Sequence, residues 1–350
     1  MAFWFCCGKA SNRRRRGKEQ HKWLVFSLKE KRSATNNFYY DNKLGEGGID
    51  SVYYWGQLWN WSQIKIDLTS MPSKYYASQS QLVRDLYQNS YFDFLMQQSF
   101  NMMKRLEVWS NKVEMEFTVE LEIFARIRHK NLLSFRGYCA EGHERLIAYG
   151  DWKFGATKYL HHQATPHIIH RDIKANNVYL DSDFQARIGG FRFAKLIPDG
   201  AIHVSTEVKG TLSYLAPEYA MLGKANEGCD VYSFGILFLE LASGRRPVEK
   251  LSSTVKQAMV DLALPLVCEK KFSELAYPRL NGNYVEEELK RVVFVALICA
   301  QVLPGKRPTM LDVVELLKGE SKDKFSHIEI NENEITRWCG FLVPTLGRTG

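Results

Sequence analysis

Hydrophobic residues along the chain follow two periods, one typical of strands and one typical of helices. In the first half, Val52, Tyr53 and Tyr54 fit a strand, and short strand-like runs follow near 132–138 and 145–149. Helical spacing covers 23–38, 114–127, 230–241, 286–300 and 310–317. The chain is therefore predicted to be α+β, with strands concentrated in its first half and helices in its second.

Three stretches depart from these patterns. Residues 1–22 are predicted to form a flexible basic tail. Residues 65–101 are rich in Tyr, Phe, Ser and Gln but contain no Gly, and residues 319–350 resemble a loose tail. No run of 18 apolar residues and no secretory signal is present, so we expect neither a spanning helix nor export.

The formal net charge of +8 is concentrated at the amino terminus. Residues 1–23 hold seven Lys or Arg against one Glu, which is six of the eight excess charges. The basic character therefore belongs to a short tail, and it does not predict nucleic-acid binding by the folded part.

The octapeptide from His170 to Asn177 carries the strongest chemical signal. Phosphoryl transfer needs a carboxylate to orient the attacking hydroxyl, a cation near the transferring phosphate and a magnesium ligand. Asp172, Lys174 and Asn177 stand in that order. The octapeptide resembles the catalytic loop of protein kinases. The resemblance implies a two-lobed fold that binds ATP and magnesium and phosphorylates Ser and Thr hydroxyls of proteins.

The same resemblance implies nucleotide-binding roles upstream of this loop. Gly45 and Gly47 lie in a segment similar to the phosphate loop, where glycines let backbone N–H groups approach phosphate oxygens. Val52 follows on the next strand. Lys104 stands in a segment that resembles the lysine-bearing third strand, and Glu120 lies on the next helix, where the pairing glutamate belongs.

Downstream motifs complete the pattern. His170 and Arg171 belong to the catalytic loop, Asp230 begins a segment similar to the helix that anchors this loop, and Glu218 and Arg307 match the family's buried ion pair. The resemblance implies structural roles for these residues.

The activation segment, 193–218, offers candidate regulatory residues. In the family, an arginine at the position of Arg171 binds a phosphorylated activation segment. Ser205 and Thr206 are therefore the predicted phosphate acceptors, because a phosphate adds about −1.5 to −2 charge that Arg can pair with. Thr211 is predicted to help form the platform for the protein substrate.

Flanking segments resemble one branch of the family, the plant receptor-like cytoplasmic kinases. These segments are 26–30, 34–38, 129–133 and 136–139. The resemblance implies an N-terminal lobe over 23–150, β-rich with one helix, and a mostly helical C-terminal lobe over 151–318. It also implies a protein substrate or a receptor kinase as the partner.

Single residues depart from the family at the ATP and magnesium site. Gly190 and Arg192 stand where the family has the metal-binding Asp and the Gly of Asp-Phe-Gly, which leaves Asn177 as the only matched metal ligand. Asp50 replaces the third glycine of the phosphate loop, and Tyr179 replaces a leucine beneath the adenine. These degenerate positions make binding of ATP and magnesium doubtful.

Two larger departures change the length of the chain. The insert 65–101 separates a strand from the Lys104 segment, and Lys65 has the same strand parity but would lie about 6–7 Å short. We favour Lys104 because its spacing to Glu120 is the one expected from the family.

Only 22 residues separate Tyr149 from Asp172, too few for the family's hinge and long core helix. The C-terminal lobe is therefore predicted to be truncated before the catalytic loop.

Three interpretations remain open. The chain is an active Ser/Thr kinase, a pseudokinase that acts as a membrane-associated signalling scaffold, or the non-functional product of an aberrant gene model that retains an insert and skips an exon. Retention of Asp172 favours the first, loss of the metal-binding aspartate at Gly190 favours the second, and the abrupt insert and deletion favour the third. Sequencing the transcript separates the third from the others.

The amino-terminal tail predicts a location. Cys6 and Cys7 are acylation candidates because they follow three bulky apolar residues and precede the basic run from Arg13 to Arg16. An acyl chain together with a polybasic patch is enough for stable anchoring. We therefore expect a cytoplasmic protein with peripheral membrane association through residues 1–23, at the inner face of the plasma membrane.

Overall fold

The computed structural model describes residues 24–35, 37–39, 43–46, 50–54, 102–106, 110–127, 134–150, 156–180, 186–250 and 256–318. The predicted insert and both predicted tails lie outside the described residues, so the domain boundaries remain predictions. Among the described residues, no helix has the length and apolar character needed to cross a membrane.

A six-stranded sheet forms the N-terminal part of the fold, in the order β1-β5-β6-β4-β3-β2. Its strands are β1 (Leu24–Val25), β2 (Lys43–Glu46), β3 (Asp50–Tyr54), β4 (Met102–Leu106), β5 (Ser134–Glu141) and β6 (Glu144–Gly150). The β1–β5 pair is parallel, and the other pairs are antiparallel. This sheet and the helices described next confirm the predicted α+β, kinase-like fold.

The segment 23–38 differs from its predicted helix. Its first residues form β1 on the sheet edge, and helix α1 (Leu28–Ala34) begins only after Ser27. The Ser27 hydroxyl accepts a hydrogen bond from the Glu30 backbone N–H, while the Glu30 carboxylate accepts one from the Ser27 backbone N–H. This capping box fixes the helix start, so the helix within 23–38 begins later and is shorter than predicted.

Helix α2 (Asn111–Arg126) packs against the six-stranded sheet. Ser110 caps its first turn by accepting a hydrogen bond from the Val113 backbone N–H. Its predicted apolar positions Phe117 and Phe124 are buried in a cluster that also contains residues of β6 and of the catalytic-loop region. The helical pattern predicted over 114–127 is therefore confirmed, with a start three residues earlier.

The C-terminal part is mostly helical. Its helices are α3 (Ala156–His162), α4 (Pro217–Leu222), α5 (Glu227–Ser243), α6 (Met259–Cys268), α7 (Phe272–Leu275), α8 (Glu286–Cys299) and α9 (Met310–Lys318). Helices α5 and α8 approach closely at Gly235, where an added Cβ would lie 2.6 Å from the Ala296 carbonyl oxygen. The three helices predicted at 230–241, 286–300 and 310–317 correspond to α5, α8 and α9.

Short two-stranded ladders connect these helices. Their strands are β7 (Ile168–Ile169), β8 (Val178–Leu180), β9 (Ala186–Ile188), β10 (Lys195–Leu196), β11 (Val204–Ser205), β12 (Lys224–Ala225), β13 (Val248–Lys250) and β14 (Lys256–Ala258). The pairs are β7 with β10, β8 with β9, β11 with β12 and β13 with β14. The catalytic-loop octapeptide lies between β7 and β8, directly after the seven-residue helix α3 and its following turn.

Candidate active site

The backbone of the catalytic loop is held by the core helix α5. Asp230 accepts hydrogen bonds from the backbone N–H groups of His170 and Arg171 at 2.7 and 2.8 Å. His161 on α3 contacts the same carboxylate at 2.9 Å. Burial alone would raise the pKa of Asp230, but the hydrogen bonds and charges of the histidines lower it below its ordinary value. Asp230 is therefore a buried anion that fixes the loop.

The three predicted catalytic residues lie together. The Asp172 carboxylate accepts hydrogen bonds from the Thr211 hydroxyl at 2.7 Å and from the Asn177 amide at 3.0 Å. Lys174 Nζ lies 3.4 Å from Asp172 and donates to the Thr211 hydroxyl at 2.8 Å. The arrangement presents one carboxylate and one ammonium group at the same spot, as transfer to a hydroxyl requires.

Gly190, which is predicted to stand at the position of the family's metal-binding aspartate, lies against Asn177. It has a left-handed backbone conformation, with φ of +77°, and a Cβ added there would lie 2.5 Å from Asn177 Oδ1. The neighbouring Arg192 places its guanidinium over the Phe193 ring, 4.6 Å from the centroid. The Asn177 amide therefore fills space that an aspartate side chain at position 190 would need.

Lys104 and Glu120 form a buried ion pair. Lys104 Nζ on β4 donates to Glu120 on α2 at 2.8 Å, and the side chains are only 6% and 1% exposed. The other Glu120 oxygen accepts a hydrogen bond from the Tyr149 hydroxyl at 2.8 Å. Lys65, the rival lysine, lies outside the described residues. Tyr149 was not predicted, because nothing in its local sequence indicates contact with a helix 29 residues away.

The remaining nucleotide-site positions are only partly described. Gly45 on β2 pairs with Val52 on β3, which places both predicted residues on neighbouring strands. Asp50 begins β3 and Tyr179 is the middle residue of β8, but their side chains lie outside the described part of the structure. Gly47 also lies outside it.

Aromatic rings join α2 to the catalytic loop. The Phe191 ring lies 5.3 Å from the Phe124 ring and 4.7 Å from the His170 ring, centroid to centroid. The His170 Nε2 lies 2.9 Å from the Gly189 carbonyl oxygen, and burial lowers the pKa of this histidine. These edge-on and tilted ring contacts link α2 to the catalytic loop through Phe191, the residue that follows Gly190.

Arg171 reaches from the catalytic loop to the activation segment. Its guanidinium donates to the Thr206 hydroxyl at 3.2 Å, to the Tyr219 hydroxyl at 3.0 Å and to the Phe193 carbonyl oxygen at 2.5 Å. Ser205 lies on β11 with an exposed side chain. Of the two predicted phosphate acceptors, Thr206 is the one in contact with Arg171.

Glu218 and Arg307 form a bidentate ion pair. Both guanidinium NH groups donate to the carboxylate at 2.7 Å, and the Arg307 side chain is 1% exposed. Burial would raise the pKa of Glu218, but the Arg307 hydrogen bond and charge lower it below its ordinary value. The pair ties α4 to the turn that precedes α9.

Metal ligands and acylation candidates complete the predicted set. Within the described ranges, no three His, Cys, Asp or Glu side chains cluster in a way that could hold a metal ion. Cys6 and Cys7 lie outside those ranges.

Comparison with known proteins identifies the family. Residues 153–317 match the family model described as protein kinase domain. The chain is 44% identical to a PTI1-like tyrosine-protein kinase of Arabidopsis thaliana over 357 aligned positions, covering 93% of this chain and 88% of that protein. The chain belongs to the protein kinase family, among the plant receptor-like cytoplasmic kinases. This kinase chain is also 35% identical to the Arabidopsis proline-rich receptor-like protein kinase PERK3, over 84% of its own length and 56% of that relative.

Membership in the family has general consequences. Protein kinases bind ATP and magnesium and transfer a phosphoryl group to hydroxyl groups of proteins. The partners of this kinase family are therefore proteins, as substrates or as receptor kinases, and the resemblance seen in the sequence motifs is confirmed.

Proposed function

We propose that this chain is a Ser/Thr protein kinase by ancestry whose phosphoryl transfer is impaired or lost. The observation that carries the proposal is Gly190 at the position of the metal-binding aspartate. Losing one preorganised group that stabilises charge costs about 100- to 1000-fold in rate. The retained contacts among Asp172, Lys174 and Thr211 support the ancestral activity.

The remaining oxygen donors do not fit a magnesium ion. Magnesium is held in kinases by carboxylates and phosphate oxygens in near-octahedral geometry. Here Asn177 donates through its Nδ2 to Asp172 and offers only its neutral Oδ1 as a ligand, both Asp172 oxygens already accept hydrogen bonds, and Gly190 supplies no side chain. This donor set supports weak binding of ATP and magnesium.

A thermal melt with nucleotide tests the proposal. A ligand present at about 100 times its dissociation constant stabilises a protein by about 2.7 kcal/mol. We expect millimolar Mg-ATP to leave the melting temperature within error of ATP alone. A shift of several degrees that requires magnesium would contradict the proposal.

A repair variant distinguishes the effect of the altered metal motif from the effect of the shortened segment before the catalytic loop. Gly190→Asp with Arg192→Gly restores the family's metal motif, although the new side chain requires Asn177 to move. We expect the repaired chain to show no autophosphorylation, because the described residues before the catalytic loop include only the seven-residue helix α3 where the family has a long core helix. Phosphorylation that appears in the repaired chain and disappears with Asp172→Asn would show that the motif alone limits activity.

A scaffold function is the second candidate. The buried contacts that maintain the fold, Asp230 with the catalytic loop and Glu218 with Arg307, are intact although the metal-binding aspartate is absent. A scaffold would bind its receptor kinase equally well with and without Asp172→Asn. Loss of that binding in the variant would contradict this candidate.

We propose Thr206 as the phosphate acceptor in the activation segment. Its contact with Arg171, a cation that can pair with phosphate, supports this choice over the exposed Ser205. After incubation with an active relative, mass spectrometry should find phosphate on Thr206. Phosphate found only outside 193–218 would count against the assignment.

Attachment to the plasma membrane is proposed for the tail. Acylation of Cys6 and Cys7 would act together with the run from Arg13 to Arg16, and each basic residue near an anionic leaflet contributes about 1 kcal/mol. A fluorescent fusion of residues 1–23 should mark the cell edge, and Cys6→Ala with Cys7→Ala should release it. A uniformly cytosolic or nuclear fusion would refute the proposal.

A further inference from the structure

Lys31 is a fully buried lysine on helix α1. Its exposed fraction is 0%, and its Nζ lies 3.4 Å from the centroid of the Phe26 ring. Lysine is almost never fully buried, because burial disfavours its charged form. The placement of α1 is therefore linked to the protonation of one amine.

Strand β1 and helix α1 form an amino-terminal flank that packs on the six-stranded sheet. The flank contributes partly buried apolar side chains to a cluster whose fully buried members belong to the sheet: Met103, Cys139, Leu146 and Ala148 on the sheet, with Phe26, Leu28, Ala34 and Phe38 from the flank. Strands β4, β5 and β6 pair with one another through their own ladders. The flank can therefore separate from the sheet without breaking those ladders.

The surroundings of Lys31 favour a neutral amine. Burial lowers the pKa of Lys31 from 10.5 to about 7, although nearby Cys139 and Glu30 act in the opposite direction. Burial also raises the pKa of the Cys139 thiol to about 11, so this thiol carries no charge near neutral pH. The Glu30 carboxylate accepts hydrogen bonds from Ser27 in the capping box of α1.

The sheet carboxylates next to the flank bind other groups. Glu141 on β5 accepts a hydrogen bond from the Leu28 backbone N–H at 3.1 Å. Glu144 on β6 forms a bidentate pair with Arg105 on β4, at 2.8 and 2.9 Å. The ring contact of Lys31 favours its charged form, but the lowered pKa shows that burial outweighs it.

We propose that the protonation of Lys31 controls docking of the flank, so that β1 and α1 are held on the sheet more firmly as pH rises above neutral. The docked flank binds fewer protons at Lys31 than the separated flank does. Docking therefore strengthens as pH rises from about 7 towards 10.5, and this contribution no longer changes below about pH 7. Because the flank joins residues 1–23 to the sheet, its separation would lengthen the connection between the tail and the kinase domain.

The size of the effect follows from the same titration. Between pH 7 and pH 8 the amine of the separated flank stays protonated, while the docked amine changes from about half neutral to about nine-tenths neutral. The separated fraction should therefore fall about fivefold over this interval.

Alkylation of Cys139 with iodoacetamide measures the separated fraction in the full chain. Cys139 is 0% exposed, so the reagent should reach it mainly when the flank leaves the sheet, and peptide mass spectrometry gives the rate. Lys31→Leu places an apolar side chain without an ionisable group at the same site. Dividing the wild-type rate by the Lys31→Leu rate at each pH removes the pH dependence of the thiol chemistry. We expect this ratio to fall about fivefold between pH 7 and pH 8.

Two further variants identify the cause. Lys29→Leu changes an exposed lysine of the same helix and should behave as the wild type does. Lys31→Arg keeps a positive charge at every pH tested and should give fast labelling whose ratio to Lys31→Leu does not fall. A wild-type ratio that stays constant from pH 7 to pH 8, or a Lys31→Arg ratio that falls with it, would overturn the proposal. If Lys31→Arg fails to fold, the wild-type ratio decides alone.

Cys229 and Cys299 distinguish local separation from a general loss of stability. Both are buried in the C-terminal part of the fold, at 2% and 0% exposure, and their labelling rates should be equal in all variants that fold. Equal changes at all three cysteines would show that Lys31 affects the whole fold and would refute control of the flank. None of these measurements depends on phosphoryl transfer, so their outcome is independent of the proposed function.

Discussion

Glu240 allows a quantitative prediction about pH and stability. It lies on the core helix α5, is 9% exposed, and accepts a hydrogen bond from the Tyr214 hydroxyl. Burial raises its pKa from 4.5 to about 7, although the Tyr214 hydrogen bond opposes that rise. Glu240→Gln keeps an oxygen acceptor for Tyr214 and removes the ionisable group.

The magnitude follows from the pKa difference between the folded and unfolded chain. One pKa unit corresponds to about 1.4 kcal/mol, so ionised Glu240 lowers the free energy of unfolding by about 3 kcal/mol relative to the protonated form. The stability contributed by protonated Glu240 is fully present below pH 4.5 and is lost as pH rises through about 7. The variant has no such dependence at this position.

Urea unfolding of both proteins at about pH 5 and about pH 8 provides the assay. The free energy of unfolding of the wild type should fall by about 2 kcal/mol more than that of Glu240→Gln, because other titrating groups cancel in the comparison. Glu274→Gln, at an exposed glutamate on α7, is the control and should parallel the wild type. Parallel curves for Glu240→Gln and the wild type would refute the reasoning.

Three further predictions concern stability. Gly235→Ala should lower the free energy of unfolding by about 1–3 kcal/mol because its Cβ meets the backbone of α8, whereas Gly305→Ala, with open space around it, should be nearly neutral in the same urea titration. Arg307→Lys should lower it by about 2 kcal/mol because lysine cannot make both bonds to Glu218; an unchanged midpoint would contradict this. Ser110→Ala should cost about 1 kcal/mol through loss of the α2 cap, and circular dichroism melts would detect it.

Locally encoded elements were predictable from the sequence. Helices α5, α8 and α9 were found by their spacing of apolar residues, because that spacing reports burial along one face. The start of α1 was missed although the Ser27–Glu30 capping box was present in the sequence. The Ser-x-x-Glu spacing of that capping box by itself indicates a helix that begins at Leu28.

Contacts between distant segments were not predictable in the same way. The motif resemblance paired Lys104 with Glu120 and Glu218 with Arg307, and the structure joins both pairs. The hydroxyl of Tyr149 on Glu120 could not be predicted, because it depends on how the sheet and α2 meet in space. The roles of these residues in binding nucleotide remain predictions.

The dependence of the catalytic loop on Asp230 has a consequence for synthesis on the ribosome. The backbone of His170 is fixed by a carboxylate that lies 60 residues later in the chain. At about 5–20 residues per second, translation needs several seconds to supply that anchor. During this interval the nascent loop lacks its native hydrogen bonds, and its apolar neighbours are available to chaperones. Slowing translation between the two positions should therefore increase chaperone capture of the unfinished chain.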